Sequence, residues 1–323
     1  MFAFNFGFAQ DTSLKNQNKV MGITNPSFYA FGETSKAGVL TGSQGFSDAS
    51  KIESKFAFVN HFFRDSGFSL ALDVKTVDVT SLGYSVSKTN LHYIYRTQLT
   101  YNWTFNPSLS IGYGNSSLDY NNLVFEDQID VFTGSIAGVS IDPVNINGNI
   151  NYFDLAAGFT IHNNDNLFFG FNAKHLNTPD TSFNSIANNK KDLLLSLQAG
   201  YEYDINPYGQ GILPSFSYLC LFNSFTMQGS KSRIDLYQEL VLGNISIGIN
   251  QHVNNYEGIS FTELGTSVGI FVQQVEFGVN YSFDMGDTSP KGSAFNSFEL
   301  YITFDFNPDN KNNRGDNSRF YGL

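Results

Sequence analysis

The stretch Asp192-Leu-Leu-Leu-Ser-Leu-Gln-Ala-Gly-Tyr-Glu-Tyr203 decides how the rest of the chain is read. Leu193, Leu195, Leu197, Ala199, Tyr201 and Tyr203 fall on one face, and Leu194, Ser196, Gln198, Gly200 and Glu202 on the other. Side chains that alternate with period two belong to a strand, because a helix would scatter them around its circumference. The same pattern sets Tyr93, Tyr95, Leu99, Tyr101, Trp103 and Phe105 against Ile94, Arg96, Gln98, Asn102 and Thr104. It sets Val275, Phe277, Val279, Tyr281 and Phe283 against Glu276, Gly278, Asn280, Ser282 and Asp284.

Fourteen such segments lie near 36–44, 54–63, 67–77, 90–105, 108–120, 151–162, 167–176, 191–204, 212–222, 232–242, 244–253, 259–272, 275–284 and 296–306. Pro214 would be awkward inside a central strand. Links after even-numbered segments are tight: Arg64–Ser66, Asn106-Pro107, Asn163–Asn166, Asn206–Gly209, Gly243 and Gln273-Gln274. Links after odd-numbered segments are mostly longer, near 121–150, 177–190 and 285–295. Short turns at one rim and long loops at the other characterise outer-membrane barrels. The expected fold is a closed antiparallel transmembrane β-barrel of about 14 strands, with short periplasmic turns and long extracellular loops.

Composition agrees. Phe 33 and Tyr 17 bring the aromatic share to 16%, against 15% charged residues. Mean hydropathy is only -0.18, and no stretch reaches the roughly 18–20 apolar residues of a membrane helix. Aromatic residues gather where strands end at the short-turn rim: Tyr101, Trp103 and Phe105, Tyr201 and Tyr203, Phe304 and Phe306. Shared depth of this kind marks a membrane–water girdle. A net charge of -11 without a basic cluster excludes nucleic acid as a partner. Outer-membrane lipid is the expected surrounding.

Four regions follow. Residues 1–9 read as the remnant of a signal peptide, with Gly7 and Ala9 before Gln10-Asp11. Residues 10–35 form a periplasmic N-terminal segment, 36–306 the transmembrane β-barrel, and 307–323 a polar periplasmic tail.

The search for chemistry finds little. His61, His92, His162, His175 and His252 show no metal-ligand spacing; parity turns His92 and His162 inward and His175 outward near the outer rim. Asp154, Glu202, Asp235, Glu239, Glu276, Asp284, Glu299 and Asp305 face inward, as do Arg96, Lys174 and Arg233, which suits a hydrogen-bonded lumen lining. With no nucleophile elbow or phosphate loop, no enzyme, cofactor or metal site is expected. A hydrolase would need Ser, His and Asp converging at one depth. Cys220, alone, reads as a buried or lipid-facing residue. Segment 121–150 is unusually apolar, with Val124, Phe125, Ile129, Val131, Phe132, Ile136 and Ile141. It is read either as a lumen plug or as a dock for a protein partner.

Several motifs resemble the PorP/SprF family of type IX secretion system membrane proteins. Asn25-Pro26-Ser27-Phe28-Tyr29-Ala30 resembles its N-P-[AS]-[YF]-A segment, and Phe153-Asp154-Leu155-Ala156-Ala157-Gly158 its F-D-x-x-A-G segment. His175-Leu176-Asn177-Thr178-Pro179 is similar to its H-x-N-x-P segment, and Pro214-Ser215 and Ser297–Phe304 also fit. The resemblance implies an outer-membrane component, without catalytic residues, that works with other type IX secretion components. It would support secretion or surface anchoring of a gliding or adhesin type surface protein, captured through its C-terminal region. Phe125, Ile129, Phe132, Ile136, His175, Asn177 and Pro179 are the expected partner-binding residues. The alternative is a porin or FadL-like transporter of small solutes.

Overall fold

The computed structural model describes residues 14–45, 51–119, 128–130, 133, 135–136, 148–163, 166–183, 189–209, 211–214, 217–255, 258–285 and 296–306. The strands are β1 (Lys36–Gln44), β2 (Ile52–Phe63), β3 (Phe68–Val79), β4 (Tyr84–Tyr95), β5 (Trp103–Leu118), β6 (Asn149–Asn163) and β7 (Leu167–Lys174). They continue as β8 (Leu194–Asp204), β9 (Ser217–Gln228), β10 (Lys231–Leu242), β11 (Ile245–Asn255), β12 (Ile259–Val272), β13 (Val275–Asp284) and β14 (Ser297–Asp305). A two-residue ladder, Thr97–Gln98, extends the start of β5. Each strand pairs antiparallel with its sequence neighbours. The ring closes through β1 and β14, from Lys36↔Asp305 to Gln44↔Ser297. The fold is a closed 14-strand antiparallel barrel, the kind of sheet that hydrocarbon tolerates.

Burial is inverted relative to a soluble domain. Outward residues such as Leu109, Phe153 and Ile302 are 64%, 66% and 50% exposed, whereas inward Thr160, Asn172 and Asn280 are fully buried. The apolar face therefore meets lipid and the polar face a filled lumen.

Three differences from the sequence reading have physical causes. The tight turn expected at Asn106-Pro107 lies at 96–102, where Trp103 N donates to Thr100 O. Pro107 sits inside β5, between Phe105↔Thr97 and Ser108↔Ile94, where the ladder to the preceding strand is interrupted and its missing N–H breaks nothing. Strand β9 begins at Ser217, which leaves Pro214 outside the ladder. The links at 80–83, 229–230 and 256–258 are short although they lie at the long-loop rim, so the long connections there are 45–51, 119–148, 175–193 and 285–296.

The largest difference concerns 10–35, read as periplasmic. Residues 14–35 lie inside the barrel, and nearly all of them are buried. Residues 1–9 and 307–323 lie outside the described residues.

Candidate functional site

Lumen and N-terminal segment are complementary in chemistry. The inner wall of β10–β14 carries Asp235, Glu239, Glu263, Glu276 and Glu299, all buried. Carboxylates in such a place need cations or N–H donors. Lys15 Nζ lies 2.5 Å from Glu263, and the backbone N–H groups of Lys15 and Asn16 donate to Glu299 at 2.5 and 2.8 Å. Lys19 pairs with Glu239 and, at 3.1 Å, with Glu276. Tyr237 donates to Lys15 O at 2.6 Å.

The next stretch turns to the opposite wall. Asn25 caps a short 3-10 helix by accepting from Ser27 N, with Pro26 at the first helical position. Its Nδ2 donates to Phe159 O, Phe171 O and Gln198 Oε1 at 3.0, 3.2 and 3.2 Å. Gly158 and Gly170 make this notch: an added Cβ would stand 3.1 and 3.0 Å from the Asn25 amide. Ser27 Oγ meets Ser108 Oγ at 2.7 Å. Phe28 and Phe31 pack against Phe168, with centroids 5.2 and 5.6 Å apart, beside Phe222, Tyr237 and Cys220. Phe31 leaves the helical region and Gly32 takes φ 75°, so the chain bends to Ser35, whose carbonyl accepts from Phe306 N at the periplasmic rim. Asn60 Nδ2 fixes this exit through Tyr29 O and Thr34 O at 2.9 and 2.8 Å. Residues 14–35 are a cork tied to strands on every side of the lumen.

Ser, His and Asp do converge at one depth. His92 Nε2 lies 2.7 Å from Asp73 Oδ2 and His92 Nδ1 2.7 Å from Ser110 Oγ. Asp73 also accepts from Asn90 at 2.7 Å and from Tyr29 of the cork at 3.3 Å. The Tyr29 ring lies tilted against His92, with centroids 5.5 Å apart, and His92, Asp73 and Ser110 are all buried. In this setting the chain Ser110–His92–Asp73 orients a cork residue.

His175, expected to point outward, points in. It takes φ 62°, which breaks the alternation, and its Nδ1 lies 3.0 Å from Asp154 Oδ2, which Lys88 also contacts. Strand β7 pairs with β6 only as far as Ala157↔Ala173. Beyond it, Leu176 N donates to Leu155 O, Asn177 Oδ1 accepts from Leu155 N at 3.0 Å, and Asn177 Nδ2 donates to Phe153 O at 2.8 Å. A side-chain amide thus replaces the missing strand. Pro179 is buried, and its carbonyl accepts from Lys191 N. Ile129 and Ile136 form an isolated bridge and are 46% and 62% exposed. Phe125 and Phe132 lie outside the described residues. His175 and Asn177 therefore sit together against β6, and Pro179 pairs with Lys191 within the 175–193 connection, while the Ile129–Ile136 bridge belongs to the separate 119–148 connection.

The cork was missed as a site. One signal was available: inward carboxylates on β10–β14 outnumber the basic residues those strands carry, and Lys15 and Lys19 lie in an otherwise apolar and amide-rich stretch.

Comparison with known proteins places this geometry. The profile described as type IX secretion system membrane protein PorP/SprF matches residues 7–304. No curated protein matches the chain. Among solved structures, Omp33 of Acinetobacter baumannii has 9% identity and a TM-score of 0.45, with 85% of this chain and 100% of that chain covered. The toluene transporter TodX of P. putida has 8% identity and a TM-score of 0.43, with 84% and 88% covered. The motifs of that family meet in space here, Asn25 in the notch of Gly158 and Asp154 against His175. The chain belongs to the PorP/SprF family of type IX secretion system membrane proteins and is an outer-membrane β-barrel.

Proposed function

We propose that this barrel anchors, or helps to secrete, a surface protein exported by the type IX system, holding its C-terminal region at the extracellular rim. The observation that carries the reading is the cork. A lumen crossed by residues 14–35 and tied by ion pairs to Glu239, Glu263 and Glu276 is unsuited to passing solutes. Barrel function then resides in surfaces presented outside. Of these, 175–193, fixed to β6 by Asn177, and the apolar 119–148 connection stand at the long-loop rim. Asp180 organises the first of them by accepting from Ser182 N and Oγ at 2.9 and 2.6 Å, and these donors hold its carboxyl below the usual range.

Affinity purification from native membranes tests the proposal. A large surface protein should be recovered with the intact chain and lost when residues 121–147 are deleted. In a planar bilayer the intact chain should show no steady conductance. An open channel without a co-purifying partner would support solute transport instead.

A further inference from the structure

Strand β6 outruns one of its neighbours. It is 15 residues long, and β5 pairs with it from Trp103↔Asn163 to Ser117↔Asn149. On the other side β7 reaches only Ala157↔Ala173, so β6 continues toward the extracellular rim with one edge unmatched by a strand. Main-chain groups along a strand point alternately to its two sides. Gly148 O accepts from Leu118 N on the β5 side, whereas Leu155 O accepts from Leu176 N on the other. The N–H and C=O of Asn149 and Asn151, and the N–H of Phe153, therefore point away from β5.

The lower part of this edge is sealed, because Leu176 and Asn177 engage Leu155 N, Leu155 O and Phe153 O. The seal ends at an aromatic boundary, where outward-facing Phe153 and Tyr113 stand with centroids 5.5 Å apart. Above them the outer face is polar. Asn115 Nδ2 donates to Asn149 Oδ1 at 3.2 Å and to Asn151 Oδ1 at 2.7 Å. Thr178 then takes φ 41°, and the connection turns into the mouth of the barrel. There Phe183 stands edge-on to Tyr84 at 6.1 Å, and Lys191 Nζ lies 3.2 Å from the hydroxyl of buried Tyr152. Asn149 and Asn151 stay exposed, and among the described residues nothing pairs with their main chain on this side.

Sheets ordinarily protect such an edge with lysine, proline, a bulge or an inward charge. Asn149-Ile-Asn-Tyr-Phe153 carries none of these, and its register with β5 is unbroken. The open edge also lies between the 119–148 and 175–193 connections, which form the surface assigned above to the partner.

We propose that the 149–153 edge takes up an extended strand of the partner through main-chain hydrogen bonds. The inference rests on the anchoring role and gives it a mode of recognition. Cross-strand neighbours share a face. The added strand therefore turns apolar side chains toward Ile150 and Tyr152 on the lumen side, and polar ones toward Asn149 and Asn151 outside.

The test uses the full chain in nanodiscs. Amide exchange followed by NMR should be fast at Asn149 and Asn151 and slow at Ile150 and Tyr152, which face β5. Slow exchange at Asn151 in the chain alone would mean that its own loops or a second copy cover the edge, and overturns the proposal. A Thr-Val-Thr-Val-Thr-Val peptide, joined to a dye through a polyethylene glycol linker, should bind saturably by anisotropy and slow the exchange at Asn151. Its counterpart N-methylated at alternate residues should bind about tenfold more weakly or worse, having lost main-chain donors. Asn151→Pro should weaken binding by about as much, because it removes an edge N–H and leaves the β5 ladder whole. Heat-modifiable migration on gels verifies folding; should this variant fail it, Asn149→Pro takes its place. No binding at millimolar peptide, or equal binding by the methylated peptide or the proline variant, overturns the proposal. If the intact chain and N151P recover the same surface protein from membranes equally well, the edge is wrong and anchoring stands. If the peptide binds as expected but no surface protein is recovered, the edge stands as a strand acceptor and anchoring fails.

Discussion

Lys19 Nζ lies 3.1 Å from Glu276 Oε1 while also pairing with Glu239, fully buried in the middle of the barrel. A cation from the N-terminal segment thus bridges two carboxylates on strands β10 and β13. Neither side tolerates the loss of the other, because an unpaired charge at this depth has no solvent to turn to.

Lys19→Ala is therefore expected to weaken the cork by about 3–5 kcal/mol, the usual cost of breaking a buried pair from one side. Cys220 reports this, since it is buried in the cork's aromatic cluster. Its labelling by a maleimide–polyethylene glycol should be slow in the intact chain and faster in the variant. Adding E239Q and E276Q should restore slow labelling in part. Equal rates in all three proteins would mean that the ion pairs do not hold the cork.

Substitutions at Asn25 separate two roles of one side chain. As a helix cap, Asp serves about as well as Asn and Ala costs about 1 kcal/mol. As a clamp on Phe159 O and Phe171 O, only a donor serves, and a carboxylate would face two carbonyl oxygens. The clamp predicts that Asn25→Asp loosens the cork more than Asn25→Ala, by the same thiol assay. The reverse order would leave Asn25 as a cap alone.

Strand periodicity was legible because lipid and a polar lumen impose opposite demands on successive residues, as at Leu197 and Gln198. Turn placement was less so. The alternation from Tyr93 to Phe105 resumes in phase after Thr97 and continues through the turn at 96–102, so period two alone could not locate it. His175 was misassigned because a single positive φ resets parity, and no residue type signals that at a histidine. The cork was hidden for a different reason. Its residues follow neither period, and their burial comes from contacts such as Lys15 with Glu263, far away in sequence. The family motifs carried information whose physical meaning appears only in three dimensions, where Asn25 enters the notch of Gly158.

Asn177 stands in for a strand at the point where β7 stops. Asn177→Ala removes one donor and one acceptor from the exposed edge of β6, each worth about 0.5–1.5 kcal/mol. The barrel should keep its melting temperature, while protease cutting within 175–193 should become faster. Loss of barrel stability instead would place Asn177 in the folding core.

Gly158→Ala addresses the point where the motifs interlock. The added methyl would lie 2.8 Å from Phe171 O, a backbone atom fixed by its own ladder, and 3.1 Å from Asn25 Oδ1. Backbone cannot yield cheaply, so the strain is expected to push Asn25 out of its notch, at a cost of about 1–3 kcal/mol. Cys220 labelling should accelerate, and adding Asn25→Ala should cause little further change, because the contact is already lost. Fully additive effects of the two substitutions on the labelling rate would show that Gly158 and Asn25 act separately, and that the notch does not seat the cork.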